Sequence, residues 1–428
     1  MKLLNNFPKV LLLISLTSLI YTYYRSEIIW NGDFKEYYTL YYKIFLISLI
    51  ISSLLIYQSR KIKILSSGLI LSVLIVLYFY ECFLIFKTDY KNSKYFIYKK
   101  LKSEGKDPVL RISTRFYLDL PSSKIFPLSG PYNKLTVDCN EYGYTATYKS
   151  DRYGYSNPNN EWDNEINNFL LIGSSFAHGA CSDRKKDISA NLRKLSNKSV
   201  LNLGYSGAGP LSNYASLREY ALNKNFNNII FLFYEGSSLN HLVNETKNPI
   251  LSEYLYNFTF SQNLKLKKKE IEKLHNQIEA KNLNSLKTQF NEDRNLKSTL
   301  WKFVKLYNIR RKNLTPKPIF IQHEFPEKEF LKVIRKIDEF AKLNNAKLHF
   351  VYLPSYWRYK DESEIHYNYN YKKIYELIKK ERINFIDINK QLFLKETLPL
   401  KNFINKKPGH YTPDAYKKIA DIILKNIN

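Results

Sequence analysis

The sequence predicts an α/β protein, a three-layer α/β/α sandwich with a central parallel sheet, preceded by three transmembrane helices. Apolar runs at residues 7–24, 41–57 and 64–86 are roughly 17 to 23 residues long, the length a helix needs to cross a bilayer. Short apolar segments alternate with helical stretches in the rest of the chain, which is typical of a parallel sheet covered on both faces. With 44% hydrophobic and 15% aromatic residues, the chain is not disordered, and three cysteines are too few for a disulfide-rich scaffold.

The charge balance is strongly basic, with 66 Lys and Arg against 39 Asp and Glu, a net charge of +27 over 428 residues. Nucleic acid is the first partner that such a charge suggests. The sequence has no zinc-ligand spacing, RNA-binding signature or phosphate-cradling glycine loop, so we expect no nucleic-acid partner and no metal or organic cofactor.

Residues 1–90 are predicted to form the membrane anchor, and flanking charges predict its orientation. Basic residues lie before the first run and between the second and third, whereas the loop at 25–38 leans acidic. The positive-inside rule then places the N-terminus in the cytoplasm and the C-terminal domain in the periplasm or outside the cell. A cleaved signal peptide is the alternative for the first run, but no small-residue cleavage site follows it and two further runs come after.

The remaining chain is predicted to contain a β-rich preamble at 107–160 and an α/β domain at 161–428. Five apolar segments are the predicted strands of the parallel sheet: 169–174, 199–203, 229–234, 348–353 and 385–388. A final helix is predicted at 413–426, where Pro413 suits the first turn. A Lys-rich helical insertion at about 240–327 is either a solvated surface or a basic face that docks on anionic lipid head groups or an acidic envelope polymer.

Serine, glycine and histidine residues follow the predicted strands at the edge where parallel sheets place functional loops. The four segments are GSSF at 173–176, NLGYSGAGP at 202–210, EGSSLN at 235–240 and GHYTP at 409–413. A serine at a strand-to-helix turn gains the field of the helix N-terminus, and glycines let backbone N–H groups approach an oxyanion. A histidine can supply the general base, so the set indicates acyl transfer through a serine ester.

These residues resemble the blocks of the SGNH/GDSL hydrolase superfamily, over about residues 150–240 and 348–428. The resemblance implies an SGNH, flavodoxin-like fold with Ser175 as nucleophile and His410 as catalytic histidine. It implies Gly207 and Ser237 as oxyanion-hole donors, beside the backbone N–H of Ser175.

Three positions depart from the family pattern. The block-one Asp is Ser174, the block-three Asn is Ser237, and the Asp expected three residues before the histidine is Lys407. A family member without that Asp can act as a Ser–His dyad, with a backbone carbonyl holding the imidazole. His178, one helical turn after the nucleophile, is expected to be a packing or rim residue, with a substitute base as the alternative.

Two cysteines, Cys139 and Cys181, lie in the part that is predicted to be outside the cytoplasm, where disulfides can form. Either they are bonded, which would tie the preamble to the segment after the nucleophile, or they are two free buried thiols. Cys82 lies within the third apolar run.

The sequence therefore predicts a membrane-anchored, exofacial ester hydrolase or O-acyltransferase that acts on an acylated envelope glycan or lipid. A transferase would need a partner protein to present the acyl group, because three helices are too few to transport the donor. The alternative is a catalytically degenerate SGNH-fold membrane protein that binds glycan or assists envelope assembly.

Overall fold

A computed structural model gives the structure of residues 2–32, 35–87, 90–118, 120, 123–313, 325–360 and 364–427. The chain divides into two compact units. The first comprises Met1–Asp89 and Gln289–Gln322, and the second comprises Tyr90–Thr288 and His323–Asn428.

The helices, in chain order, are α1 (Lys2–Tyr23), α2 (Lys35–Ile56), α3 (Arg60–Phe86), α4 (Lys94–Ser103), α5 (Arg115–Leu118), α6 (Ser175–His178), α7 (Ile188–Ser196), α8 (Pro210–Ser216), α9 (Ser238–Glu245), α10 (Pro249–Tyr256), α11 (Lys268–Arg294), α12 (Leu296–Val304), α13 (Tyr307–Asn313), α14 (Glu327–Leu343), α15 (Glu364–Lys380), α16 (Ile388–Gln391) and α17 (Pro413–Ile427). The strands are β1 (Pro108–Leu110), β2 (Leu135–Asn140), β3 (Thr145–Lys149), β4 (Ile166–Gly173), β5 (Val200–Asn202), β6 (Asn225–Tyr234), β7 (Lys347–Leu353) and β8 (Asn384–Asp387).

The first unit is built on α1, α2 and α3, which are long and apolar enough to cross a membrane. The three predicted spans are therefore confirmed as helices. A hydrogen bond of 2.7 Å joins the hydroxyls of Ser15 and Ser48, so α1 and α2 contact each other through small polar residues as well as apolar ones.

Residues 289–322 of the predicted insertion belong to this first unit, where α12 and α13 pack on α3. The carboxylate of Glu81 in α3 accepts the backbone N–H groups of Asn308 and Ile309, each at 2.9 Å. A carboxylate there satisfies first-turn N–H groups of α13 and complements the helix dipole. The predicted insertion is thus not one piece, because residues up to Thr288 belong to the second unit.

The second unit confirms the predicted fold class. Its main sheet has the order β5-β4-β6-β7-β8, and every neighbouring pair is parallel. All five predicted strands are present, with their ends displaced by at most four residues. The sheet grows outward in both directions from β4, so the strand order reverses there, and such a switch point opens a crevice at the carboxyl ends of the strands.

Helices cover both faces of this sheet, and β4 shows why its sequence is continuously apolar. Leu170 and Ile172 pack in the core on one face, with α8, α14 and α15, whereas Phe169 and Leu171 pack on the other, with α7 and α17. A strand buried on both sides needs apolar residues at every position rather than at alternate ones.

The predicted preamble forms a separate three-stranded sheet, in which β1 and β2 are parallel and β2 and β3 are antiparallel. It belongs to the second unit. Its β2–β3 turn, at residues 141–144, supplies a residue of the candidate site.

Candidate active site

Ser175 lies two positions after the end of β4, at the switch point of the sheet, as the first residue of α6. The bend that exposes it depends on Gly173, because a Cβ there would lie 2.8 Å from the carbonyl oxygen of Leu232. The Gly173 N–H donates to Oδ1 of Asn213 in α8 at 3.0 Å. Steric necessity and a buried hydrogen bond therefore fix the turn that presents the Ser175 hydroxyl.

His410 reaches this hydroxyl from the loop before α17. Its Nε2 lies 2.8 Å from Oγ of Ser175. The imidazole packs on the Phe176 ring with a centroid distance of 4.9 Å, and the His410 carbonyl accepts the N–H of Ile404 at 3.2 Å. The structure thus brings together the two residues that the sequence predicts as nucleophile and base.

Glu141, in the β2–β3 turn, holds the other side of His410. Its Oε1 lies 2.9 Å from Nδ1 of the ring, and its Oε2 accepts the His410 backbone N–H at 2.9 Å. Burial raises the pKa of Glu141, and the hydrogen bonds and charge of His410 lower it by more, so the net shift is downward. Gly409 makes room, because a Cβ there would lie 2.9 Å from Oε2.

The structure therefore places a carboxylate from another element on the histidine, where the sequence analysis allowed for a Ser–His dyad. Lys407, at the family position of the Asp, is exposed. The sequence did contain one indication of where Glu141 lies. A disulfide between Cys139 and Cys181 would bring Glu141, two positions after Cys139, close to the turn that presents Ser175.

That disulfide is present in the structure, with 4.7 Å between the two Cα atoms. Beside it, the buried Asp138 carboxylate accepts the Cys181 N–H and pairs with Arg184, both at 2.9 Å, and also pairs with Arg111. Burial raises the pKa of Asp138, but the two guanidinium groups outweigh burial and hold it well below its usual range. Strand β2 is thus tied covalently and ionically to the segment that follows the nucleophile.

His178 is fully buried rather than placed at the rim. Its Nδ1 lies 2.9 Å from the Ser206 hydroxyl and its Nε2 lies 3.1 Å from the Tyr148 hydroxyl. Burial lowers the pKa of His178 well below its usual value. With both ring nitrogens engaged, His178 joins α6, the glycine loop and β3 and is not positioned as a substitute base.

The predicted oxyanion donors occupy two loops beside the carboxyl edge of the sheet. Gly207 has φ +87°, and a Cβ there would lie 2.0 Å from Oγ of Ser113. Ser237 precedes α9, and its N–H donates to the Tyr234 carbonyl at 3.4 Å. No hydrogen bond joins the Ser237 side chain to Ser175 or His410 among the residues that the structure describes, so the oxyanion roles remain predictions.

The loop of Gly207 is anchored by a buried carboxylate that the sequence analysis missed. Glu245 in α9 accepts the N–H of Gly209 at 2.6 Å and that of Leu211 at 3.0 Å.

Ser174, at the block-one Asp position, is also buried, and its hydroxyl has no hydrogen-bond partner within the described ranges.

The side chains around His410 do not form a suitable set of ligands for a metal ion. Donor atoms of Glu141, Cys181 and His410 lie within 4.8 Å of one another. The Cys181 sulfur is already in the disulfide and offers no thiolate, and the other two groups are hydrogen-bonded to each other.

No protein-family model and no curated protein matches the sequence. Among the solved structures that resemble the chain are three that each cover 61% of it. A lipolytic protein of the G-D-S-L family from Desulfitobacterium hafniense is 13% identical with a TM-score of 0.35, over 99% of that chain. A member of the same family from Veillonella parvula is 10% identical with a TM-score of 0.34, over 97% of that chain. A GDSL-like lipase from Bacteroides thetaiotaomicron is 13% identical with a TM-score of 0.33, over 87% of that chain.

Proposed function

We propose that the second unit is a serine esterase or O-acyltransferase, with Ser175 as nucleophile, His410 as general base and Glu141 as the residue that orients His410. One observation carries the proposal: His410 bridges the Ser175 hydroxyl at 2.8 Å and the Glu141 carboxylate at 2.9 Å. A nucleophile, a base and an orienting carboxylate in series are the arrangement that activates a serine.

The reaction follows from this geometry. Ser175 Oγ attacks the ester carbonyl while Nε2 of His410 takes the hydroxyl proton, and Glu141 stabilises the resulting imidazolium. His410 then returns the proton to the departing alcohol, which leaves an acyl group on Ser175. Water or an acceptor hydroxyl, deprotonated by His410, attacks this acyl-enzyme and releases the acid or the new ester. The Ser175 and Gly207 N–H groups and the Ser237 hydroxyl are our candidates to stabilise the oxyanion.

The substrate class that we propose is an acylated glycan or lipid ester of the cell envelope. The support is the combination of a serine site with three helices that are long and apolar enough to span a membrane. Hydrolysis and transfer share the acyl-enzyme and differ in the acceptor. An O-acetylated glycan can distinguish them, because free acetate is the product of hydrolysis and an acetylated second glycan is the product of transfer.

Labelling with a fluorophosphonate tests the nucleophile directly. The purified full chain and its Ser175→Ala variant would be exposed to the probe and the modified peptide identified by mass spectrometry. The proposal predicts an adduct on Ser175 that is absent from the variant. Ser174→Ala is the matched control, because it removes the neighbouring hydroxyl, and it should still label.

Absence of an adduct on the folded wild type, together with no acetate release from acetylated glycan, would overturn the proposal. The second candidate function, a glycan-binding protein with an inactive site, would then be favoured. It predicts glycan binding that Ser175→Ala leaves unchanged.

A further inference from the structure

The first unit contains a pocket of about 720 Å³ that the proposed chemistry does not use. It lies at the end of the bundle where α1 finishes, α2 begins and α3 approaches its last turns, and α12 and α13 close one side. Every residue that lines it belongs to the first unit.

The pocket is amphipathic. Ile44, Phe45 and Leu77 line its apolar part, and Tyr37 and Tyr41 contribute hydroxyl groups that lie 3.2 Å apart. Tyrosines at the ends of membrane helices occupy the level of the lipid head groups. A ligand that matches this lining has an apolar chain and a polar head.

The charged residues in the lining are all cations, namely Arg25, Lys305 and Arg310. None of them forms an ion pair with another residue in the described part of the chain. Arg310 lies over the Tyr41 ring, with 5.9 Å from the guanidinium carbon to the centroid, and its Nε is buried without a hydrogen-bond partner among the described atoms.

The carboxylate of Glu81, in α3, already accepts three hydrogen bonds. Oε1 of Glu81 accepts both the backbone and the side-chain N–H of Asn308, and Oε2 accepts the N–H of Ile309. Glu81 therefore fixes α13, the helix that carries Arg310, and is not paired with Arg310 itself.

We propose that this pocket binds an anionic phospholipid, with the phosphate beside Arg25 and Arg310 and an acyl chain along the apolar wall. Guanidinium groups offer several N–H donors to phosphate oxygens, and basic pockets between membrane helices suit acidic head groups. The inference is independent of the ester chemistry proposed for the second unit.

Photo-crosslinking in nanodiscs tests this site. The full chain would be placed in phosphatidylcholine discs that contain a small fraction of phosphatidylglycerol with a diazirine on its acyl chain. We expect adducts on pocket residues of α1, α2 or α13, removed by excess unlabelled phosphatidylglycerol but not by added phosphatidylcholine. Arg310→Gln and Arg25→Gln should each weaken labelling about fivefold, the effect of one cation near an anionic lipid surface.

The matched control is Arg311→Gln, which removes an exposed charge from the neighbouring position on α13, outside the pocket, and should label like wild type. Helical content by circular dichroism and a single peak of the loaded discs on size exclusion report that each variant is folded. Adducts spread evenly over the helices, or equal displacement by phosphatidylcholine, would overturn the proposal. Displacement by inorganic phosphate as effective as that by phosphatidylglycerol would show an anion site rather than a lipid site.

Discussion

At the scale of single residues, the site depends on a carboxylate whose position in the chain is unusual for the superfamily that the sequence resembles. Glu141 precedes the nucleophile, and 269 residues separate it from the histidine that it contacts. The position three residues before His410 holds a lysine that faces solvent. The carboxylate contact on the imidazole is therefore present, although the local motif that usually supplies it is not.

Glu245 predicts a pH effect on stability. Burial raises its pKa to about 7, although three backbone N–H groups point at its oxygens. A carboxyl group whose pKa is raised by folding stabilises the protein in its protonated form. This contribution is complete below the unfolded pKa, near 4.3, and is lost as the pH rises through about 7, a change of roughly 4 kcal/mol.

Thermal melting from pH 5 to pH 8 checks this prediction. The wild type should lose stability relative to Glu245→Gln as the pH rises, because the variant carries no titrating group there. His241, on the same helix, stays neutral in the folded protein across this range, since burial and then the charge of Arg115 lower its pKa to about 4. Parallel melting curves for the two proteins would contradict the prediction.

At the scale of elements, the β2–β3 hairpin contributes Glu141 to the candidate site and is more than a preamble to the α/β domain. The Cys139–Cys181 disulfide, across a sequence separation of 42, and the ion pairs of Asp138 hold it against the nucleophile segment. Hydrogen bonds at its tip fix it to the histidine loop: Tyr142 donates to the Tyr411 carbonyl at 2.8 Å, and Asn405 donates to the Glu141 carbonyl at 3.2 Å.

Removing the disulfide should lower both stability and reactivity. For Cys139→Ser combined with Cys181→Ser we expect a loss of about 2–4 kcal/mol in the free energy of unfolding. Labelling of Ser175 should slow because Glu141 is held less tightly. Cys82→Ser is the control that leaves the hairpin intact. Unchanged melting and an unchanged labelling rate in the double variant would contradict this prediction.

The strands and two site residues could be predicted because their signals are local. Strands such as β4 and β7 are continuously apolar, and Ser175 and His410 each stand in a short segment at a strand end or before a helix. Glu141 has no such local signal, and only a bond between Cys139 and Cys181 points to it, because its contact with His410 joins a hairpin turn to a distant loop. The sequence analysis did not divide the insertion between two units, because its lysines suggest a solvated surface throughout. The apolar side chains of Leu300, Trp301 and Val304 on α12 are nevertheless exposed in the folded chain.

At the scale of the whole molecule, an active site outside the cytoplasm requires a defined membrane topology. The basic residues in the first turn of α3 predict that this end of the helix is cytoplasmic, and they predict the opposite side of the membrane for the second unit. A disulfide in the second unit agrees with an oxidising compartment.

Cysteine accessibility in spheroplasts tests that topology in a Cys82→Ser background. Lys61→Cys, in the first turn of α3, should react with a membrane-impermeant maleimide only after permeabilisation. Lys185→Cys, at an exposed position of the second unit, should react in intact spheroplasts. The reverse pattern would place the second unit in the cytoplasm and contradict the predicted exofacial placement.

We expect Glu141 to orient His410 for attack by Ser175, and the rate of Ser175 phosphonylation reports on this role. Glu141→Gln keeps the size of the side chain and removes its charge, so we expect a rate at least about 100-fold lower at unchanged melting temperature, within the range that general acid–base catalysis contributes. Glu141→Asp should recover part of the rate, and Lys407→Ala should react like wild type. A Glu141→Gln protein that labels as fast as wild type would contradict the account.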